Sequence, residues 1–117
     1  MKGHNAYLSG KAAEDQVMRL YLDHGHILVA RRWRGAGGEI DLVMERDGQV
    51  VFVEVKKSST HVRAAESLSR KQIARLLQSA EHCLGGFPKG SLTPMRFDVA
   101  LVDGAGRVDV LQNALSA

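Results

Sequence analysis

Glu39-Ile40-Asp41-Leu42-Val43-Met44-Glu45-Arg46-Asp47-Gly48-Gln49-Val50-Val51-Phe52-Val53-Glu54-Val55-Lys56-Lys57 is the stretch around which the chain is organised. Two runs of alternating apolar residues flank Asp47-Gly48, the strongest short-range sign of a β-hairpin. A two-residue turn there sets Ile40 against Val55, Leu42 against Val53 and Met44 against Val51, which makes one wholly apolar face. On the other face Val43 meets Phe52, Asp41 meets Glu54 and Glu39 meets Lys56.

That second face carries an anomaly. Residues directly opposed in an antiparallel pair have Cβ atoms ~5 Å apart, and like charges there destabilise the pair. Asp41 against Glu54 is therefore a poor choice for a hairpin that only has to fold. Two carboxylates at that separation suit a hard divalent cation, which takes oxygen ligands. Lys56 points to the same face and could hold a water or a phosphate oxygen. Metal-assisted phosphodiester hydrolysis uses such a set. The alternative is a solvated surface. Exposed hairpin faces are commonly charged, Glu39 opposite Lys56 could be an ion pair worth ~0–1 kcal/mol, and a one-residue bulge would break the register.

The 117 residues suffice for one domain with a real core. A net charge of +3 has the sign expected for a partner bearing phosphates, but is small enough to serve solubility alone. Cys83 is the only cysteine, which excludes a disulfide framework and a cysteine metal site and fits a reducing, cytoplasmic setting. No apolar run approaches the ~18–20 residues of a membrane span, and the first residues do not open a signal peptide, so no membrane partner is expected.

Residues 1–8 carry little signal and are expected to form a flexible tail. Ser9 is placed to cap a helix that runs to about His24 and ends at Gly25. Ala13, Val17, Leu20 and Tyr21 form its buried stripe, bordered by Glu14. Residues 26–33 read as a strand finishing in a basic aromatic cluster, with Arg31, Arg32 and Arg34 around Trp33. Such arginines can fork phosphates beside an aromatic ring, or line a solvated edge with Trp33 in the core. Gly35-Ala36-Gly37-Gly38 opens a strand rather than a helix, so it is no phosphate loop. A tight turn that lets backbone or substrate approach Glu39 and Asp41 fits better.

Ser58 to Leu68, with His61 and Arg63, reads as a polar connection lying over any site at Lys56. Ser69-Arg70-Lys71-Gln72 is a capping box for a helix that buries Ile73, Leu76, Leu77, Ala80 and Leu84 and stops at Gly85-Gly86. Arg70, Lys71 and Arg75 make its start basic, against the preference of the helix dipole, and a phosphate backbone would explain them. Met95 to Val102 is a strand, turned at Asp103-Gly104-Ala105-Gly106 into a last strand, Arg107 to Leu111. The order α-β-β-β-α-β-β implies an α/β fold with a mixed central sheet flanked by helices.

With Asp41 on the second strand and Glu54-Val55-Lys56 on the third, that order resembles the PD-(D/E)xK nuclease superfamily. More narrowly, Gly38-Glu39-Ile40-Asp41-Leu42 followed by Val51-Phe52-Val53-Glu54-Val55-Lys56 resembles the YraN-like family, small bacterial proteins grouped with archaeal Holliday-junction resolvases. The similarity runs from about Gly10 to Asn113 and takes in Arg70-Lys71-Gln72 and Arg96-Phe97-Asp98-Val99. It implies a single domain with a restriction-endonuclease-like αβββαβ core. It also implies that Asp41 and Glu54 hold Mg²⁺ or Mn²⁺ together with the Val55 carbonyl, that Lys56 orients the attacking water, and that Glu14 assists the metal from the first helix. Glu39 and Gln72 fall at further motif positions. The sequence departs from the pattern at Ile40, in place of the motif's proline, at Ala13, where Gly-x-x-Gly-Glu has its second glycine, and at Lys57-Ser58, where Thr-Arg is common.

The function so implied is a metal-dependent endonuclease that hydrolyses DNA, branched or junction DNA included. Arg31, Arg32, Arg34, Lys57, Arg70, Lys71 and Arg75 are the candidates for holding the nucleic-acid backbone. Resolution of a junction needs two symmetric cuts and hence a homodimer. The alternative is a catalytically silent nucleic-acid-binding module in DNA recombination, repair or uptake. A third reading assigns the basic patch to a protein partner.

Overall fold

Asp47 and Gly48 have φ of +53° and +81°, the left-handed pair that a two-residue hairpin turn requires. In the computed structural model, which describes residues 2–57 and 69–114 with side chains from Gly10 onward, this turn joins β2 (Gly38–Arg46) to β3 (Gln49–Lys57). Leu42 faces Val53, Val43 faces Phe52 and Met44 faces Val51, as the alternation predicts. Ahead of the hairpin, β1 (Ile27–Gly35) runs antiparallel to β2. A crossover through α2 (Arg70–Leu84) then makes β4 (Met95–Val102) parallel to β3, and β5 (Val108–Leu111) returns antiparallel to β4. The result is a mixed five-stranded sheet in the order β1-β2-β3-β4-β5.

One helix covers each face. The stripe of α1 (Lys2–Asp23), Ala13, Val17 and Tyr21, packs on Leu42, Met44, Val51, Val53, Ala100 and Val102. On the opposite face Leu76, Ala80, Cys83 and Leu84 of α2 pack on Val43, Val50, Phe52 and Phe97. Both faces of the hairpin are therefore covered, which buries Glu54 and half-buries Asp41 and Lys56, while Glu39 and Lys57 at its open end stay exposed. The near-continuous apolar run of β3 suits a strand covered on both sides.

Several expectations are corrected. The first helix begins at Lys2 rather than after a cap at Ser9, so residues 2–8, expected to be a tail, continue it. It ends as foreseen, at Gly25, whose φ of +88° is one that glycine adopts without strain. Leu77 is partly exposed. Ile40 packs with Val43 and Phe52 against α2 instead of joining Leu42 and Met44. The connection read at Ser58–Leu68, with His61 and Arg63, lies outside the described residues. Among the described residues no helix is long and apolar enough to cross a membrane.

Candidate active site

The displacement of Ile40 marks a fork in the sheet. The β2–β3 ladder runs from Arg46–Gln49 to Leu42–Val53 and stops there. Beyond that point β2 stays with β1 as far as Gly38, paired with Gly35, while β3 stays with β4 as far as Lys57, paired with Val102. Asp41 lies on one arm of the gap, and Glu54 and Lys56 lie on the other. Had the ladder continued, Ile40 would have supplied the acceptor for the Val55 amide. Instead Asp41 Oδ2 accepts it at 2.8 Å. The pairs Ile40–Val55, Asp41–Glu54 and Glu39–Lys56 are thus absent from the ladder, because a carboxylate has taken the place of a backbone carbonyl.

Glu54 is only 5% exposed. Its carboxyl is pushed up to about 9, first by burial and then by the hydrogen bond and negative charge of Asp41, with Lys56 opposing the shift. The two acids are brought together as expected, but across the gap rather than as a ladder pair, and burial beside Asp41 favours the protonated form of Glu54. Among the described residues, no group of three or more His, Cys, Asp or Glu side chains gathers closely enough to hold a metal ion.

The arginines of β1 are engaged with acids. Arg32 reaches Glu14 with Nε on Oε1 at 3.2 Å and Nη2 on Oε2 at 3.4 Å. Arg31 bonds Asp15 at 2.9 Å and approaches Glu14 at 3.7 Å. Arg34, largely exposed, meets Glu39 at 3.5 Å. Glu14 is therefore placed under β1 arginines. Lys57, Arg70, Lys71 and Arg75 are exposed, while Gln72 is half-buried and donates its backbone amide to Ser69 Oγ, the predicted cap. Trp33 is half-buried against the α2 cluster, edge-on to His82 at 5.2 Å between ring centroids, so much of its ring is spent on packing.

The sequence profile of the uncharacterised protein family UPF0102 matches residues 13–102, from the α1 stripe to the end of β4. The chain belongs to this family. The UPF0102 protein of Cereibacter sphaeroides (strain ATCC 17023) is 49% identical over 117 residues, the full length of both chains. The UPF0102 protein of Ruegeria pomeroyi is 53% identical over 113 residues, 97% of this chain and 92% of its own length. That of Roseobacter denitrificans is 53% identical over 114 residues, 97% and 88% of the two. The resemblance to the YraN-like family is a resemblance to UPF0102.

Two features of the UPF0102 chain escaped the sequence reading. The first is a buried network on the α1 side. Tyr21 donates its hydroxyl to Asp98 Oδ2 at 2.6 Å, Arg96 forks the same carboxylate at 2.8 and 3.0 Å, and the Asn113 amide donates to Oδ1 at 3.0 Å. Asp98 is fully buried, so this set of donors is what allows its charge there. The available signal was Arg96 and Asp98 on one face of an otherwise apolar strand. The second is the seat of the glycine turn. Gly37 N donates to Ser79 Oγ at 2.9 Å, Ser79 Oγ donates to Gly38 O at 2.8 Å, and Ala36 N donates to His82 Nδ1 at 3.1 Å. The close approach that the glycines permit is that of the α2 backbone, since a Cβ on Gly37 would overlap the Arg75 carbonyl.

Proposed function

We propose that this protein is a metal-dependent nuclease acting on DNA, with α1, β1–β3, α2 and β4 as a restriction-endonuclease-like core. One observation carries the proposal: Asp41 and Glu54 meet at a fork in the sheet, with Lys56 beside them. Folding alone gains nothing from that meeting, because burial and mutual repulsion raise the proton affinity of Glu54. A cation would relieve it. Two carboxylates are a hard oxygen donor set that suits Mg²⁺ or Mn²⁺, and Val55 places a backbone carbonyl next to them along β3. Bound there, such an ion supplies a water of lowered pKa and polarises a phosphate oxygen. Lys56 orients that water and offsets the charge that develops on the phosphate. Arg34, Lys57, Arg70, Lys71 and Arg75 hold the DNA backbone, which makes binding salt-dependent and indifferent to sequence. Branched DNA cut by a pair of copies is the narrower form of this reading.

A binding module that cuts nothing is the second reading, and the raised proton affinity of Glu54 favours it, because a neutral acid beside Asp41 would leave the fork stable without a cation. End-labelled linear duplex, single-stranded, flap and four-way-junction DNA, each incubated with Mg²⁺, Mn²⁺ or EDTA, separates the two. Cleavage that needs the metal and disappears in Asp41→Asn and Lys56→Ala supports the nuclease. Intact DNA that the wild type still retards on a gel supports the binding module.

A further inference from the structure

Resting on that reading, we infer that Glu14 serves as the seat of Arg32 and not as a ligand of the metal, and that Arg32 is the guanidinium that meets the phosphate at the mouth of the fork. Both oxygens of Glu14 are already taken by Arg32, through Nε and Nη2. Glu14 joins no group of three acids among the described residues. A carboxylate committed to a forked arginine is a weak candidate for a metal and a strong one for fixing that arginine.

Arg32 itself is unusual. Its φ of +50° is left-handed, a conformation that costs a bulky side chain strain and collects at functional positions. In the β1–β2 register Arg31 faces Leu42 and Trp33 faces Ile40, so Arg32 falls opposite Asp41, at a step where the ladder forms no pair; the other irregularity is the shift at Val29. Its side chain is 56% exposed, and among the described residues Nη1 makes no hydrogen bond. One edge of the fork is thus anchored and the other is open. The chemical need is plain. Glu14, Glu39, Asp41 and Glu54 are four acids on the elements around this mouth, and a polyanion approaching them needs a fixed cation there.

The test reads metal and DNA separately. Isothermal titration of Mn²⁺ into the protein alone, and anisotropy of a fluorescein-labelled linear duplex in EDTA at several salt concentrations, are measured for the wild type, Asp41→Asn, Glu14→Gln, Arg32→Gln, Arg32→Lys and the Glu14→Gln/Arg32→Gln double variant. Glu14→Gln should leave the Mn²⁺ dissociation constant within about twofold of wild type, whereas Asp41→Asn should raise it about tenfold or more. Arg32→Gln should weaken duplex binding and reduce the salt slope by about one. Glu14→Gln should also weaken it, and the double variant should be no worse than Arg32→Gln. Arg32→Lys, which keeps the charge without the fork, should fall between. Loss of Mn²⁺ in Glu14→Gln to the degree seen in Asp41→Asn overturns the inference. So does an unchanged salt slope in Arg32→Gln, or a wild type that binds no duplex. If Asp41→Asn leaves Mn²⁺ binding as it was while the Arg32 pattern holds, the metal reading fails and the role of the arginine stands.

Discussion

Asp41 accepts the Val55 amide at 2.8 Å just past the last β2–β3 pair. A side chain of β2 therefore does what its backbone does elsewhere in the ladder. The substitution satisfies a part-buried donor and holds the two arms of the fork together through an acid. It also fixes the rotamer of Asp41, so that only part of its hydrogen-bonding capacity remains for Glu54 or a cation. An acid with a structural duty of this kind should respond differently to removal than Glu54 does.

The Glu54 carboxyl gains a proton more readily in the folded chain than in the unfolded one. A raised folded value means a stability contribution that is complete below about 4.5 and is lost as the pH climbs toward about 9. Glu54→Gln cannot titrate and should escape that loss. Urea unfolding in EDTA should show the variant and the wild type nearly equal at pH 4, with the variant ahead by about 1–3 kcal/mol at pH 8, at 1.36 kcal/mol per unit discounted for local relaxation. Equal pH slopes in the two proteins would refute the origin of the shift. With Mn²⁺ present the order should reverse, since a cation must displace the proton and binds more tightly as pH rises.

The Asp98 network predicts an order of losses. Asp98→Ala strands the Arg96 guanidinium, whose side chain is 19% exposed, and the Tyr21 hydroxyl. Breaking a buried charged pair from one side costs about 3–5 kcal/mol. Tyr21→Phe removes one hydrogen bond to a charged acceptor that retains Arg96 and the Asn113 amide, and should cost about 1.5–3 kcal/mol. Equilibrium unfolding that placed Tyr21→Phe at or beyond Asp98→Ala would show that the hydroxyl, not the charge, is the centre of the network.

The hairpin was legible because turn chemistry and alternation agree at Asp47-Gly48. The second helix was legible because Ser69 and Gly85-Gly86 bracket a clean stripe. The acids at 41 and 54 stood out as a like-charged pair, and the structure does bring them together. Period-two arithmetic could not foresee that the pair would end the ladder, because a side chain replacing a carbonyl leaves no trace in the pattern; Ile40 was assigned to the wrong face for that reason. The Asp98 network joins residues from α1, β4 and the segment after β5, and no local window contains it. Arg31 and Arg32 read as free cations because their partners, Asp15 and Glu14, lie a whole element away.

Gly37 should be intolerant of any side chain. An added Cβ would overlap the Arg75 carbonyl, which belongs to helix backbone and cannot move alone. Gly37→Ala must therefore lift the turn off α2, and with it the Ser79 bonds to Gly37 N and Gly38 O. A loss of about 2–4 kcal/mol on unfolding is expected, in the range for strain at a packed backbone contact. Ser79→Ala keeps the backbone in place and should cost less, about 1–2 kcal/mol. Similar losses in the two variants would mean that the hydroxyl, and not the close approach, holds the turn.

Gly10 separates the two accounts of where α1 begins. Inside a helix that starts at Lys2, glycine is a weak point, and an alanine there should gain about 0.5–1 kcal/mol by narrowing the unfolded ensemble and favouring the helix. An added Cβ meets nothing within 4 Å, so no clash offsets the gain. Were Ser9 the cap, Gly10 would be the first helical residue, where propensity matters little, and Ser9→Ala would cost about 1 kcal/mol. With Ser9 inside the helix, Ser9→Ala should instead be neutral or slightly stabilising, because alanine is the better helix former. The decisive readout is the sign of the Ser9→Ala change in thermal or urea unfolding. A gain accompanied by a gain in Gly10→Ala fits the long helix, and a loss with no gain at Gly10 fits a helix capped at Ser9.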